Sequence, residues 1–456
     1  MQNRRSVVFI LVLVSLLLAV VATQCRPSPE APATEEPSEP EEETTSEEEP
    51  AEPAKIVYWS MFSEGEPLMQ ELDKATDEFM EEYPNIEVEI KWAGRQVLTQ
   101  LQSAISAGTQ VDIVDHSDDR IYNALVANDL ALPLDEYLEE PAYDSDQTWG
   151  ASFKEASLEL GRADDGHIYM VPRDDYISAF FYNKKMLADL GFEPGSEGMT
   201  WQEFVDMLET IKQDTDASPL GADGNVAFYN NWWHTYLSIR LAGREAFREA
   251  AYDETGEKWG EPEFLEAAQM IRGLQDQDYF QEDFEGSVWP AAQVEWVNGD
   301  VAMMFCGAWL PKEMSPQMPE GFEVSMFPFP SVEGGEGNQW VEHWANVYSV
   351  LKDTEHPDAA ATYLRFILSK EIGTRIANQG TPVPVEGVPV PPSLQNQFEI
   401  LDEFDSMKAR AGLNIEIADY MENVYNVCDD QFFKMELTPE EFIECLQTES
   451  EKFWAK

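Results

Sequence analysis

Apolar positions along the chain fall into three regimes. An apolar run from Val7 to Ala22, broken only by Ser15, comes first, preceded by Arg4 and Arg5. Residues 26–54 then contain no apolar side chain larger than Ala, Pro apart. From Lys55 onward the pattern alternates between the two periods of regular structure. KIVYWSMF has the β-branched and aromatic content of a strand. PLMQELDKATDEFMEEYP places Leu68, Leu72, Ala75, Phe79 and Met80 at helical spacing and stops before Pro84. IEVEIKWA alternates as a second strand, VLTQLQSAISAG is an amphipathic helix ending at Gly108, and VDIVDHSDD is a third strand entering a polar loop. The order β, α, β, α, β predicts a parallel sheet covered by helices. Ligands of such sheets sit beyond the carboxyl ends of the strands, which points to the loops after Trp59 and Val114.

The same logic recurs downstream. GHIYMVPRDDYISAFFYNKKMLADLGF reads as a strand, a kink at Pro172, another strand and a helix. Thr200 and Glu203 form a capping box at the start of TWQEFVDMLETIKQD. VAMMFCGAWL and FEVSMFPFP have strand character, the chain turns helical from Asp358, and a last helix runs from Pro439 to Trp454. At 456 residues, more than one core is expected.

Composition sharpens this picture at the N-terminus. The basic start and apolar run make residues 1–24 a signal peptide, slightly short for a spanning helix. Residues 25–54 form an acidic Pro/Glu-rich linker that has nothing to bury. Cys25 stands where a lipoprotein signal places its acylated Cys, although Gln24 replaces the usual small residue before it. Acylation at Cys25, a plain cut nearby and a retained helix stay open, with acylation favoured. The body is expected outside the cytoplasm, tethered to the outer face of the cytoplasmic membrane and touching it only through the lipid.

With 88 acids against 29 bases, the net charge of −59 excludes a nucleic-acid or anionic-membrane partner, because no basic surface exists to release counterions. Of the remaining cysteines, Cys428 and Cys445 are seventeen apart on consecutive helices. A bridge between them and buried free thiols are both open readings. No metal spacing of Cys and His appears, and no cofactor is expected.

Seven landmarks then stand in a familiar order: IVYWS, VDIVDHSDDR with NDLALPLDEYL, GHIYMVPRDDYISAFFYNKKML, TWQEF, NGDVAMMFCGAWL, EHWANVYSVLKDTEHPDAAATYLRFILS and TPVPV. Together they resemble the extracellular solute-binding proteins of ABC importers, in their carbohydrate-binding, maltose-binding-protein-like branch. The resemblance spans Lys55 to Lys456. It implies an α/β, two-lobe Venus-flytrap fold, each lobe a mainly parallel sheet flanked by helices, with several hinge crossings. Lobe one would take residues 55–175 and 327–380, lobe two 176–326 and 381–456, with crossings near Val171–Tyr176 and Val324–Phe329. It also implies a monomer that captures a carbohydrate without chemistry and delivers it to the importer's membrane subunits.

A sugar presents an apolar face and a rim of hydroxyls, so its site needs flat aromatic rings beside charged or amide groups. After the first strand the resemblance points to Ser63 and Glu64. After the third it points to His116, Asp118, Asp119 and Arg120, with His116 standing where maltose binders carry a Trp; a solvated acidic loop is the plainer reading. Arg173, Asp174 and Tyr176 follow Pro172, with a surface ion pair as the alternative for Arg173. Trp232 and Trp233 lie about 100° apart on one helix, so one should be core and one should face the cleft; Trp233 aligns better with the sugar-stacking aromatic of the branch, and both are kept as candidates. Trp309, in the G-x-W turn, is the foremost stacking candidate, against a buried structural Trp. His343 and Trp344 occupy a Gly-Gly-Trp position of the branch, with a core His satisfied by backbone as the alternative.

Two other readings compete. The same fold could take a polyamine, through carboxylates and aromatic walls, or a glycerol phosphodiester, which would prefer more basic residues than Arg120 and Arg173. A secreted glycoside hydrolase would also stack sugars and use paired carboxylates, but among so many acids a suitable pair such as Asp174 and Asp175 carries no weight.

Overall fold

The computed structural model describes residues 53–456. The expected signal peptide, all but the end of the expected linker, and Cys25 lie outside them. Nine strands are present among the described residues: β1 (Ala54–Ser60), β2 (Ile86–Trp92), β3 (Ile113–Ser117), β4 (Val171–Asn183), β5 (Ser218–Gly221), β6 (Val301–Gly307), β7 (Val324–Phe327), β8 (Trp340–Val350) and β9 (Asp405–Met407). As the pattern predicts, β1 pairs in parallel with both β2 and β3. Helices Pro67–Glu82 and Val97–Ser106 connect them, burying Leu68, Leu72, Ala75 and Phe79 from the first and Val97, Leu101 and Ala104 from the second.

The full strand order is β2-β1-β3-β8-β4-β6-β5, with β7 added to β4 and β9 to β8. β8 runs antiparallel to both β3 and β4, and β4 antiparallel to β6 and β7. Pro172 does not divide a strand in two as expected. β4 runs 13 residues without a break, and the missing proline N–H appears as a register shift between Pro172 and Asp174.

Two hydrophobic cores flank this sheet, giving the two-lobed α/β fold. The first gathers side chains from Ile56 to Val171 and from Ala345 to Val388, the second those from Tyr176 to Trp344 and from Leu394 to Leu446. β4 and β8 each enter both. The side chains of the expected crossing at Val324–Phe329 lie in the second core. Phe327 stacks on Phe180, 5.1 Å between centroids, and Phe329 packs on Tyr236, so both rings belong to the second core rather than the first. Val383, Val385 and Val388 stay in the first core, past the expected boundary at 380.

The capping box at Thr200 and Glu203 is formed, and Thr438 with Glu441 makes another for the last helix, Pro439–Trp454. Cys428 and Cys445 are disulfide-bonded, with Cα atoms 5.9 Å apart, while Cys306 is a buried free thiol. No helix among the described residues is long and apolar enough to cross a membrane.

Candidate functional site

The site is built where β4 and β8 cross from one core to the other. In their antiparallel register Tyr176 faces Trp344 and Asp174 faces Asn346. Strand alternation puts all four on one face of the sheet, and Asp175 and His343 on the other. Asp174 is the polar centre of the first face. It accepts hydrogen bonds from the Tyr176 hydroxyl at 2.8 Å and the Asn346 amide at 3.3 Å, and pairs with Arg173 at 3.2 Å. Arg173 is 1 % exposed, held also by Asp115 and stacked 4.5 Å over Phe62. It is a buried ion pair rather than a surface one, and fixes Asp174 rather than reaching solvent.

Above this floor stands an aromatic wall. Gly307 ends β6, and the Trp309 ring folds back over it so closely that any Cβ there would collide, which is why the turn is Gly-Ala-Trp. Trp309 remains half-buried, its indole N–H donating to the Tyr229 hydroxyl at 3.3 Å. Its ring lies 5.6 Å from Trp344, 6.0 Å from Tyr176 and 5.9 Å from Tyr229. Trp344 stacks on Tyr176 at 6.4 Å. Burial drives the Tyr176 hydroxyl well above its usual range, so it stays a neutral donor.

The helix Ala227–Ala242 supplies the back of the wall, and its two tryptophans point to different neighbours, though neither is exposed. Trp233, the better-aligned of the two, packs on Phe180, Phe280, Phe305 and Phe329 and is part of the core. Trp232 is also fully buried, but it lies behind the wall, stacked 5.6 Å from Tyr229, 5.9 Å from Trp344 and 6.2 Å from Trp309. The rings of this helix that reach the surface are Phe228, 43 % exposed, and the half-buried Tyr229.

A cavity of about 820 Å³ adjoins Phe228 and Asn231 and is lined across from them by Asp119 and Arg120. Asp119 is set by the Ser117 hydroxyl at 2.6 Å and the Arg120 N–H at 2.7 Å. The cavity lies between the two cores, for Asn123 donates to the Asn414 carbonyl and Lys408 to the Arg162 carbonyl, both at 3.2 Å. His116 is half-buried and its Nδ1 accepts the Ser117 N–H at 2.8 Å; burial lowers its pKa and favours the neutral ring. Asp118 is not in the cavity lining, and neither are Asp174, Tyr176, Tyr229, Trp309 and Trp344, which stand on the far side of Phe228 and Trp232 from it in the chain of ring contacts. Asp118 is buried, and desolvation together with Asp119 pushes its carboxyl far up, opposed by Lys408.

Ser63 and Glu64 are exposed in the loop after β1. Ser63 donates its N–H to Glu66 at 2.7 Å, and Glu66 is itself held by Arg95 at 2.9 Å. His343 is fully buried on the opposite sheet face, bonded to Asp175 and, at 3.1 Å, to Ser406. It is a satisfied core histidine, and strand alternation beside Trp344 was the signal that separates the two. Sequence reasoning missed Phe228, Tyr229, Asn231 and Lys312. Burial lowers the Lys312 pKa, while its neighbours Asp174 and Glu66 raise it and Arg173 lowers it. Its Nζ donates to Thr381. Among the described residues no cluster of three or more metal-ligating acids, His or Cys occurs.

The cavity offers the carboxylates of Asp119, Glu416 and Asp419, the amides of Asn123 and Asn231 and the rings of Phe228 and Trp454 to a hydroxyl-rich or cationic solute. The chain resembles solved structures along nearly its whole length. A chitin oligosaccharide binding protein shares 21 % identity at a TM-score of 0.70, covering 89 % of this chain and 100 % of that one. The solute-binding protein RafE in complex with raffinose shares 17 % at 0.67, covering 88 % and 99 %. An ABC substrate-binding protein from Listeria monocytogenes in complex with cycloalternan shares 18 % at 0.64, covering 89 % and 100 %. Curated protein sequences give no match. The model of the bacterial extracellular solute-binding proteins matches residues 62–374, and the chain belongs to that family.

Proposed function

We propose that this solute-binding protein captures a carbohydrate between its two lobes and delivers it, without chemical change, to the membrane subunits of an ABC importer. The observation that carries this reading is the wall of Trp309, Trp344, Tyr176 and Tyr229 standing beside Asp174 and Asn346. Rings match the C–H face of a sugar, and the carboxylate and amide match its hydroxyls. The fold-level likeness to proteins that bind raffinose, a chitin oligosaccharide and cycloalternan supports it. Of the candidate residues we retain Trp309, Trp344, Tyr176, Asp174, Asp119 and Arg120 as ligand contacts. The protein is extracytoplasmic by family, and we place it on the outer face of the cytoplasmic membrane through a lipid on Cys25, as a monomer.

Calorimetric titration of the purified protein with galactose, raffinose and chitin oligosaccharides tests the reading, with spermidine and a glycerol phosphodiester as rivals. Saturable heat with a saccharide supports it. Heat with spermidine alone would transfer the site to a polyamine, and release of product from a glycoside would replace binding by hydrolysis.

A further inference from the structure

Behind the aromatic wall the backbone adopts a conformation that side chains rarely take. Arg410, Ala411 and Gly412 have φ of 52°, 58° and 90°, three left-handed residues in succession, two of them with a Cβ. Something must hold this loop, and the Arg410 side chain is what reaches out of it. Its guanidinium is fully buried. Nε donates to the Asn231 side-chain oxygen at 2.7 Å, Nη2 to the Phe228 carbonyl at 2.6 Å, and Nη1 pairs with Glu342 at 2.5 Å. The same group lies 4.7 Å from the Phe228 ring centroid and 5.0 Å from that of Trp232. Asp429, buried nearby with its carboxyl pushed up to about 8 by desolvation, is drawn back down by Arg410.

Apart from Glu342 and Asp429, every group Arg410 holds belongs to the opening turns of the Ala227–Ala242 helix. That helix starts at Val226 with no side-chain cap. Phe228 and Asn231 line the 820 Å³ cavity, and Trp232 packs against Trp309 and Trp344. We propose that Arg410 is a positioning residue of the solute site: from behind, it sets Phe228 as a second apolar platform at the cavity edge, orients Asn231, and braces Trp232 under the stacking rings. The inference rests on the carbohydrate reading for its ligand, but its geometry does not.

Removing Arg410 alone would strand the buried Glu342, so the informative variants keep the core neutral. Arg410→Met combined with Glu342→Gln removes both charges. Arg410→Lys keeps a cation for Glu342 but loses the planar fork to Asn231 and Phe228. Each is compared with wild type by thermal melting, by near-ultraviolet circular dichroism of the ligand-free indoles, and by titration with raffinose and chitotriose. We expect the double variant to melt near wild type, and both variants to lose at least tenfold in affinity and to alter the indole dichroism. Phe228→Ala should lose several-fold in affinity with melting unchanged. Folded Arg410→Lys or double variant with wild-type affinity and dichroism would overturn the proposal, since a purely structural charge partner predicts that result. If wild type binds neither saccharide, the carbohydrate reading fails instead, and the ligand-free dichroism alone decides Arg410: a changed indole signal upholds its positioning role and an unchanged one refutes it.

Discussion

Two tryptophans of this chain differ in kind, and a pair of substitutions separates them. Trp309 is half-buried on the wall, whereas Trp233 is 2 % exposed among four phenylalanines. Trp309→Ala should weaken saccharide binding about 10- to 100-fold, roughly 1.4–2.8 kcal/mol, with under ~1 kcal/mol lost from unfolding. Trp233→Ala should cost about 3–5 kcal/mol of stability, because the large cavity left among those rings cannot collapse. Titration and denaturant melting of the same two proteins check both; equal loss of stability would make Trp309 a core residue. At this scale the sequence distinguished residue types better than directions. Trp309, Trp344, Tyr176 and Asp174 were legible because a strand register and a short turn determine where they point. Phe228, Tyr229 and Arg410 were not, since the contacts of Arg410 are made 179 and 182 residues away along the chain.

The helix Ala227–Ala242 shows how an element can be read correctly and its faces wrongly. From Asn230 to Arg240 every residue is buried, so no polar stripe marks which side faces the cleft. By contrast, the helices Pro67–Glu82 and Val97–Ser106 each keep an exposed face, and their buried positions were evident from spacing alone. Burying a whole helix also buries His234, whose ring nitrogens meet the Tyr425 hydroxyl at 2.9 Å and the Phe264 carbonyl at 3.1 Å. Desolvation lowers its pKa to about 4. In the unfolded chain a histidine takes its proton near pH ~6.5. Between those values the unfolded state binds the extra proton, so stability is fully present above about pH 6.5, falls as pH drops toward 4, and is flat below. The loss attributable to this ring is on the order of 3 kcal/mol. Denaturant melts from pH 7 to 4 should show the decline for wild type and a smaller one for His234→Gln; parallel curves would assign it to other groups.

At the scale of the whole molecule, β4 and β8 pass through both cores, so the halves share a sheet while keeping separate interiors. The last two helices are locked by Cys428–Cys445, which closes a loop of 17 residues. Replacing both cysteines by Ser should cost about 3 kcal/mol, measured by denaturant melting under non-reducing conditions; no change would mean the bridge is not formed in solution. Charge acts on everything at once. Acids outnumber bases 88 to 29, and the bases are largely engaged already, as where Arg375 pairs with both Glu71 and Glu78. Most carboxylates therefore have no basic partner, and their mutual repulsion opposes the compact state. It reaches farther at low ionic strength, where the screening length is ~30 Å at 0.01 M against ~10 Å at 0.1 M. Attractive surface pairs are worth little each and would be weakened by the same screening. The two effects have opposite signs, and the excess of acids decides between them. Raising sodium chloride from about 0.01 M to about 0.3 M should raise the melting temperature by several degrees. A fall over that range would mean that pairs such as those around Arg375 outweigh the net repulsion, and that the acidic surface is not a load on the fold.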